Sequence, residues 1–390
     1  MPASPAARPA VADFSDLRAA EFPWAADVTY LNHASTGPIP ARTQRAIDQV
    51  EHRRREPFRL ADTHHVEVMR DARAAVARLI GADPGEIALT PNTSYGINMA
   101  AQTLPLAAGD EVLVPDGEFP ANMYPWLLLR DRGIRVELIP RTAAGWPDED
   151  RLLDRLARPG VRAVAISWVQ FASGYRVDLG RLSAACRERG VWLVLDAIQG
   201  IGQLPLDLRA TPVDVVACGG QKWLLSPWGS GFLYVRRERI AELTPRFTGW
   251  LAFRGTDDLS RLTDYDPTFH ADARRFELVT LPYQDLAGLT ESLTLLAEAG
   301  VDRIAAHLRA LRAPLLAAAD RGAFRVTSPT DGVHDSAIWC VRTDDVTRAH
   351  GRLRAAGVTC SLREGALRLS PHFYNTAEEV ERVVALLTGR

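Results

Sequence analysis

The sequence predicts an α/β protein in which a mostly parallel, seven-stranded sheet carries helices on both faces and a smaller α+β domain follows it. Three observations lead there. Between residues 87 and 235, short apolar and β-branched runs alternate with segments of helical periodicity. Several of those runs end in small or polar residues, at the carboxyl ends where sheets of this kind hold their ligands. Beyond about Pro282 the alternation stops and helices dominate.

With 390 residues and 47% hydrophobic content, the chain has room for one large domain and one small one. A formal net charge of −2 offers nucleic acid or an anionic membrane no global attraction, and the basic run at residues 52–55 reads as a solvated helix face. Cys186, Cys218, Cys340 and Cys360 are widely spaced, so neither a zinc site nor a disulfide framework is indicated, no metal is expected, and a reducing cytoplasm fits. The Pro/Ala-rich start lacks the basic and apolar regions of a signal peptide, and residues 1–25 read as a flexible lead. No apolar run approaches the length needed to span a bilayer.

In chain order, a short strand at 28–31 delivers a polar turn, Asn32-His33-Ala34-Ser35-Thr36-Gly37-Pro38, where a polar ligand is expected to dock. Helices are expected at 40–54 and 66–80, the second stopped by Gly81. The strand 87–90 runs into Asn92-Thr93-Ser94 and a helix, so hydroxyls and free backbone N–H groups face an anion. Strands at 111–114, 136–139, 163–167, 191–195, 213–217 and 232–235 continue the sheet, with helices at 122–131, 148–156 and 179–189. The large domain is expected over 26–282. The small one, over 283–390 with the N-terminal segment packed on it, should hold helices at 286–299, 301–319, 345–356 and 377–387 and strands at 336–341 and 366–370.

The strand ends define a rim at 92–96, 118–122, 170–174, 196–199 and 219–222. Lys222 stands in it between two buried runs, where lost solvation favours the neutral, nucleophilic amine. Asp196, behind the apolar run VWLVL, needs a cationic partner such as a protonated ring nitrogen, and Phe119 has the shape to cover a ring.

With these residues the chain, from Tyr30 onward, resembles the class V aminotransferase family of fold-type I pyridoxal-phosphate enzymes, which holds cysteine desulfurases, isopenicillin N epimerase and kynureninase. The resemblance implies that Lys222 in GGQKW binds pyridoxal 5'-phosphate covalently, that Asp196 in DAIQ pairs with the pyridine nitrogen, and that Gln199 contacts the ring hydroxyl. Thr93 and Ser94 match the phosphate-binding pair, and Phe119 in EFPAN matches the ring-stacking aromatic. Arg368 in ALRLS matches the arginine that takes the substrate carboxylate, its planar fork suited to two-point binding. Asn32, His33 and Gln170 complete the expected substrate site. The family's pattern departs at Gly219 and Gln221, where desulfurases carry Ser and His, so phosphate binding is expected to use backbone and the Gln221 amide. A homodimer is implied, with the partner's Thr248-Gly249 turn at the phosphate.

Such a site generates negative charge at Cα, from which transamination, elimination, racemisation or Cβ cleavage can follow. A lyase or aminotransferase on a small amino acid ranks first, an epimerase next. A cysteine desulfurase ranks last, because the nucleophilic cysteine loop is missing and Cys360 lies in a strand-like run. The non-enzyme alternatives, a nucleotide-binding protein or an inactive scaffold, lack a GxxxxGK[ST] or GxGxxG turn in the first case and a reason to keep Lys222, Asp196, Gln199 and Arg368 in the second.

Overall fold

The fold is described from a computed structural model, over residues 12–389 except 62, 257, 279 and 331. Helix α1 (Ser15–Glu21) opens the described chain and corrects part of the expected flexible lead. Phe14 and Phe22, on either side of it, are buried, and the Phe22 ring stacks on Tyr374 at 4.2 Å. Arg18 donates to the Tyr374 carbonyl and pairs with Glu379 at 2.9 Å, so this segment is fastened to the far end of the chain. Two large aromatic side chains so close to the start have more apolar surface than a solvated lead leaves in water.

Strand β1 (Thr29–Tyr30) pairs in parallel with Val358–Thr359, and helices α2 (Ala41–Arg54) and α3 (His64–Ile80) follow. The large sheet begins at β2 (Ile87–Thr90), followed by helix α4 (Thr93–Thr103), β3 (Glu111–Pro115), β4 (Arg135–Ile139) and β5 (Val161–Ser167). It ends with β6 (Trp192–Asp196), β7 (Val215–Gly219) and β8 (Gly231–Val235). The seven strands lie in the order β2-β8-β7-β6-β5-β3-β4, all parallel except at β8, which runs antiparallel to both neighbours.

Alternating residues of each strand enter different cores. Val164, Ile166, Leu193, Leu195 and Val216 join one cluster, while Ala163, Ala165, Val194, Val215 and Ala217 join the other. Both faces are covered, as the near-continuous apolar runs require. The expected helix at 122–131 is instead a short α-helix, Tyr124–Leu127, between 3-10 turns, with Pro120 and Pro125 sitting at the starts of two of these pieces.

The second sheet comprises β9 (Arg325–Val326), β10 (Trp339–Arg342), β12 (Ser361–Arg363) and β13 (Ala366–Leu369), in the order β12-β13-β10-β9, with β11 (Val358–Thr359) paired to β1. The single helix expected at 301–319 is two, Val301–Leu311 and Ala313–Asp320, because Pro314 cannot continue the first and starts the second. Among the described residues no helix is long and apolar enough to cross a membrane.

Candidate active site

The carboxyl ends of β5, β6 and β7 carry the centre of the site. Asp196 ends β6, is 3% exposed, and holds the Ile198 amide on Oδ1 at 3.1 Å. Burial, reinforced by the like charge of Glu118, pushes its carboxyl up to about 7, against the pull of Lys222 and the Ile198 N–H. Lys222, half-buried just past β7, has its amine lowered to about 8, chiefly by desolvation, with Asp196 opposing and Arg368 adding to the fall. It is the only lysine in the chain.

The turn that carries Lys222 is held from two sides. Gly37 donates its N–H to the Gln221 carbonyl at 2.8 Å, and a Cβ at Gly37 would stand 2.0 Å from the Lys222 carbonyl oxygen, so only glycine allows this approach. At Gly219 an added Cβ would meet the Gln221 side-chain oxygen at 2.5 Å and the Thr93 hydroxyl at 3.3 Å, which places those two groups together. Thr93 also accepts the Gly219 N–H at 2.9 Å, at the start of α4, where Asn92 caps by accepting from Tyr95 N at 2.9 Å. Ser94 is exposed beside it.

Phe119 lies 43% exposed with its ring centroid 5.5 Å from the Lys222 Nζ. The Phe171 ring meets it edge-on at 5.2 Å. Gln199 is anchored, its Nε2 donating to the Ala34 carbonyl at 2.9 Å and its Oε1 accepting from Trp223 Nε1 at 2.8 Å, which leaves one Nε2 hydrogen free.

Arg368 crosses from β13 to this cleft. It is 2% exposed and donates to the Phe171 carbonyl at 2.8 Å, to Ser35 Oγ at 2.7 Å and to Ser361 Oγ at 3.3 Å. Burial lowers its guanidinium to about 10, with Arg363 adding to the fall. Among the described residues neither Arg368 nor Lys222 has a carboxylate within ion-pair distance, and Asp196 has no cation within it.

Two expected substrate residues are corrected. His33 is fully buried in an aromatic cage of Tyr30, Trp223, His372 and Tyr374; its Nδ1 donates to the Ser370 carbonyl and its Nε2 accepts from the Tyr374 hydroxyl, both at 2.8 Å. Burial holds it neutral, well below its usual pKa, and neither nitrogen remains for a ligand. Gln170 is buried with its amide nitrogen on Glu118 at 2.7 Å, so its donor serves the protein. Asn32 differs, because its buried Oδ1 has no hydrogen-bond partner. Thr248 and Gly249 are held by the carbonyls of Arg275 and Glu277, and the neighbouring Phe247 ring packs against Tyr95 in the first turn of α4. Ser35, Ile198 and Glu118 were missed as individual residues. The polar turn at 32–38 contained the signal for Ser35, and the rim at 118–122 contained Glu118.

Residues 29–383 match the aminotransferase class-V family. The chain is 31% identical to the isopenicillin N epimerase of Amycolatopsis lactamdurans over 92% of this chain and 94% of that protein. It is 29% identical to a probable cysteine desulfurase of Methanothermobacter thermautotrophicus over 93% and 94%. In three dimensions it superposes on C-DES, solved with glycine covalently linked to its PLP cofactor, with a TM-score of 0.85 at 22% identity, covering 95% of this chain and 98% of that one.

Proposed function

The chain belongs to the aminotransferase class-V family of pyridoxal-phosphate enzymes, and from that premise we propose that Lys222 holds the cofactor and that the enzyme acts at Cα of a small amino acid as a lyase or aminotransferase. One observation carries this reading. Three charged groups converge on one cleft without an opposite charge in ion-pair contact among the described residues, and each answers a different part of a cofactor with an amino acid on it.

The residues present fit that group. Asp196, ionised at neutral pH only at a cost, calls for the protonated ring nitrogen. Phe119 and the half-exposed Ile198 flank the flat ring. The free Nε2 hydrogen of Gln199 serves the ring hydroxyl, and the first turn of α4, with Thr93, Ser94 and the Gln221 amide, takes the phosphate. Bound there, pyridoxal phosphate supplies an electron-withdrawing ring that stabilises negative charge at Cα.

The chain's own groups do the rest. The Lys222 amine, poised near neutrality, removes the Cα proton and returns it. Arg368 takes the α-carboxylate two-pronged, with Ser35 and the Phe171 carbonyl fixing the guanidinium plane. Asn32 Oδ1 offers an acceptor to the substrate amine.

The cysteines favour this over a persulfide-forming desulfurase. All four are buried, with burial raising the thiols of Cys186, Cys340 and Cys360 to about 12 and that of Cys218 well above its ordinary value. No thiolate is offered to accept sulfur. An epimerase, the second reading, draws support from the relative in Amycolatopsis. It also needs a proton carrier facing Lys222, and the wall there is the Phe119 ring. The exposed Phe247, Trp250, Leu262 and Tyr265 support a second copy of the chain beside the site, its Thr248-Gly249 turn reaching the phosphate. The free cysteines fit a reducing cytoplasm.

The test is direct. Purified protein should be yellow, and borohydride should fix one cofactor on the Lys222 peptide. Since this is the only side-chain amine, label confined to the N-terminus, or protein that never takes up colour, overturns the assignment. Ammonia and pyruvate from L-cystine then mark a lyase, whereas bleaching by L-alanine with pyruvate release marks an aminotransferase.

A further inference from the structure

Behind Phe119 lies a carboxylate to which the proposed chemistry assigns nothing. Glu118 is 6% exposed and has no cation in contact among the described residues. Its Oε1 accepts from the Ser167 amide at 2.8 Å and from Gln170 Nε2 at 2.7 Å; its Oε2 accepts from Asn122 Nδ2 at 3.1 Å and from the Ser167 hydroxyl. Three N–H donors and a hydroxyl converging on two oxygens favour the ionised carboxylate, while burial, the larger influence, leaves its pKa above the ordinary value. Stability does not explain this, since an apolar side chain of similar size would serve a core at least as well.

Geometry does explain it. Glu118 joins the exit of β3 to the end of β5 and to the turn beyond it, and two of the positions it joins are followed by walls of the cleft. After Glu118 comes Phe119, the aromatic facing Lys222; after Gln170 comes Phe171, whose carbonyl receives Arg368 at 2.8 Å. The two rings meet at 5.2 Å and 78°. One buried anion therefore spans the distance between the ring-covering wall and the carboxylate anchor, with Asp196 close enough to feel its charge.

We propose that Glu118 is a positioning residue that sets the spacing between Phe119 and Arg368 and, through its charge, biases the protonation of the bound cofactor. This rests on the pyridoxal-phosphate reading. The charged group that feels it is Asp196, of the same sign, and its hydrogen-bond partners Ser167, Gln170 and Asn122 are uncharged.

The experiment uses the holoenzyme and glycine, an amino acid with an α-carboxylate and no side chain, followed by the change it causes in the visible band. In Glu118→Gln one amide N–H faces a donor, so the turn shifts and glycine Kd should rise about tenfold or more, about 1.4 kcal/mol. With an anion removed, the more protonated form of the chromophore is less favoured, so the pH midpoint of the band should fall. Gln170→Leu keeps the charge and cuts the tie; glycine Kd should rise with the midpoint unchanged, and the double variant should bind no more weakly than Glu118→Gln alone. Unchanged Kd and midpoint in Glu118→Gln, or multiplying Kd effects in the double variant, overturn the proposal. Should Glu118→Gln not fold, unchanged glycine affinity in Gln170→Leu overturns it. A colourless wild type would defeat the cofactor reading beneath it, which is a different failure.

Discussion

The rim of the large sheet and the seam that closes over it are built from similar residues and behave in opposite ways. At the rim, Asp196, Lys222 and Arg368 are all pushed from their ordinary pKa values and none has an ion-pair partner among the described residues. In the seam, His33, His372, Tyr374 and Asn375 are as deeply buried, but their polar atoms are consumed internally: His372 donates to the Trp223 carbonyl at 3.0 Å and Asn375 to Glu379 at 2.8 Å. A fold tolerates buried polarity cheaply when it is mutually satisfied. Groups left charged and alone are the ones waiting for a ligand.

Breaking the rim should cost chemistry. Arg368→Lys keeps the charge and loses the planar fork, and kcat/KM for the amino acid should fall about thirty-fold to several hundred-fold, on the order of 2–4 kcal/mol, with cofactor colour retained. Unchanged turnover would place the carboxylate elsewhere. Asp196→Asn should abolish activity while stabilising the cofactor-free protein at pH 8. Because the native carboxyl is raised to about 7, the native state holds a proton that the unfolded chain has released between about pH 4 and 7, so the penalty is complete above pH 7 and absent below about pH 4. Urea melts of the two apo-proteins should differ by on the order of 4 kcal/mol at pH 8 and converge near pH 4; a constant gap would mean Asp196 carries no such penalty.

Breaking the seam should cost stability. His33→Leu leaves the buried Tyr374 hydroxyl unpartnered, while the Ser370 carbonyl keeps only the backbone N–H of residue 33, and should lose about 2 kcal/mol in denaturant melts. In folded protein, kcat/KM should stay within about threefold; a collapse of kcat/KM at preserved stability would restore His33 to the substrate site. The smallest effect is expected at Cys360→Ser. The thiol is buried with its proton firmly held, so sulfur release from cystine should be nearly unchanged, and its loss would reveal a persulfide relay.

The sheet was legible because its central strands are apolar on both faces and end at polar or glycine residues. The placement of Asp196 at a strand end and of Lys222 and Phe119 just beyond two others was legible for a related reason, whereas Arg368 was singled out by the resemblance. His33 and Gln170 were misread because satisfaction is a tertiary property. In the sequence they sit in turns rich in hydrogen-bonding groups, and only the approach of Tyr374 and Glu118, distant along the chain, uses those groups up. Glu118 was invisible for the same reason, as a surface carboxylate beside a turn looks no different. Prolines 125 and 314 were readable as breaks, and the longer helices expected across them gave their apolar periodicity too much weight.

The lone lysine has a practical consequence for anyone handling this molecule. Every other basic side chain except histidine is a guanidinium, which acylating and reductive-alkylating reagents leave untouched at neutral pH. Amine chemistry on the folded chain therefore addresses two places, the N-terminus and Lys222, whose lowered pKa favours the nucleophilic amine in mild buffer. Peptide mapping after treatment with an aldehyde and hydride therefore has two amines to tell apart, and a tag or surface coupled through a lysine side chain would attach at Lys222.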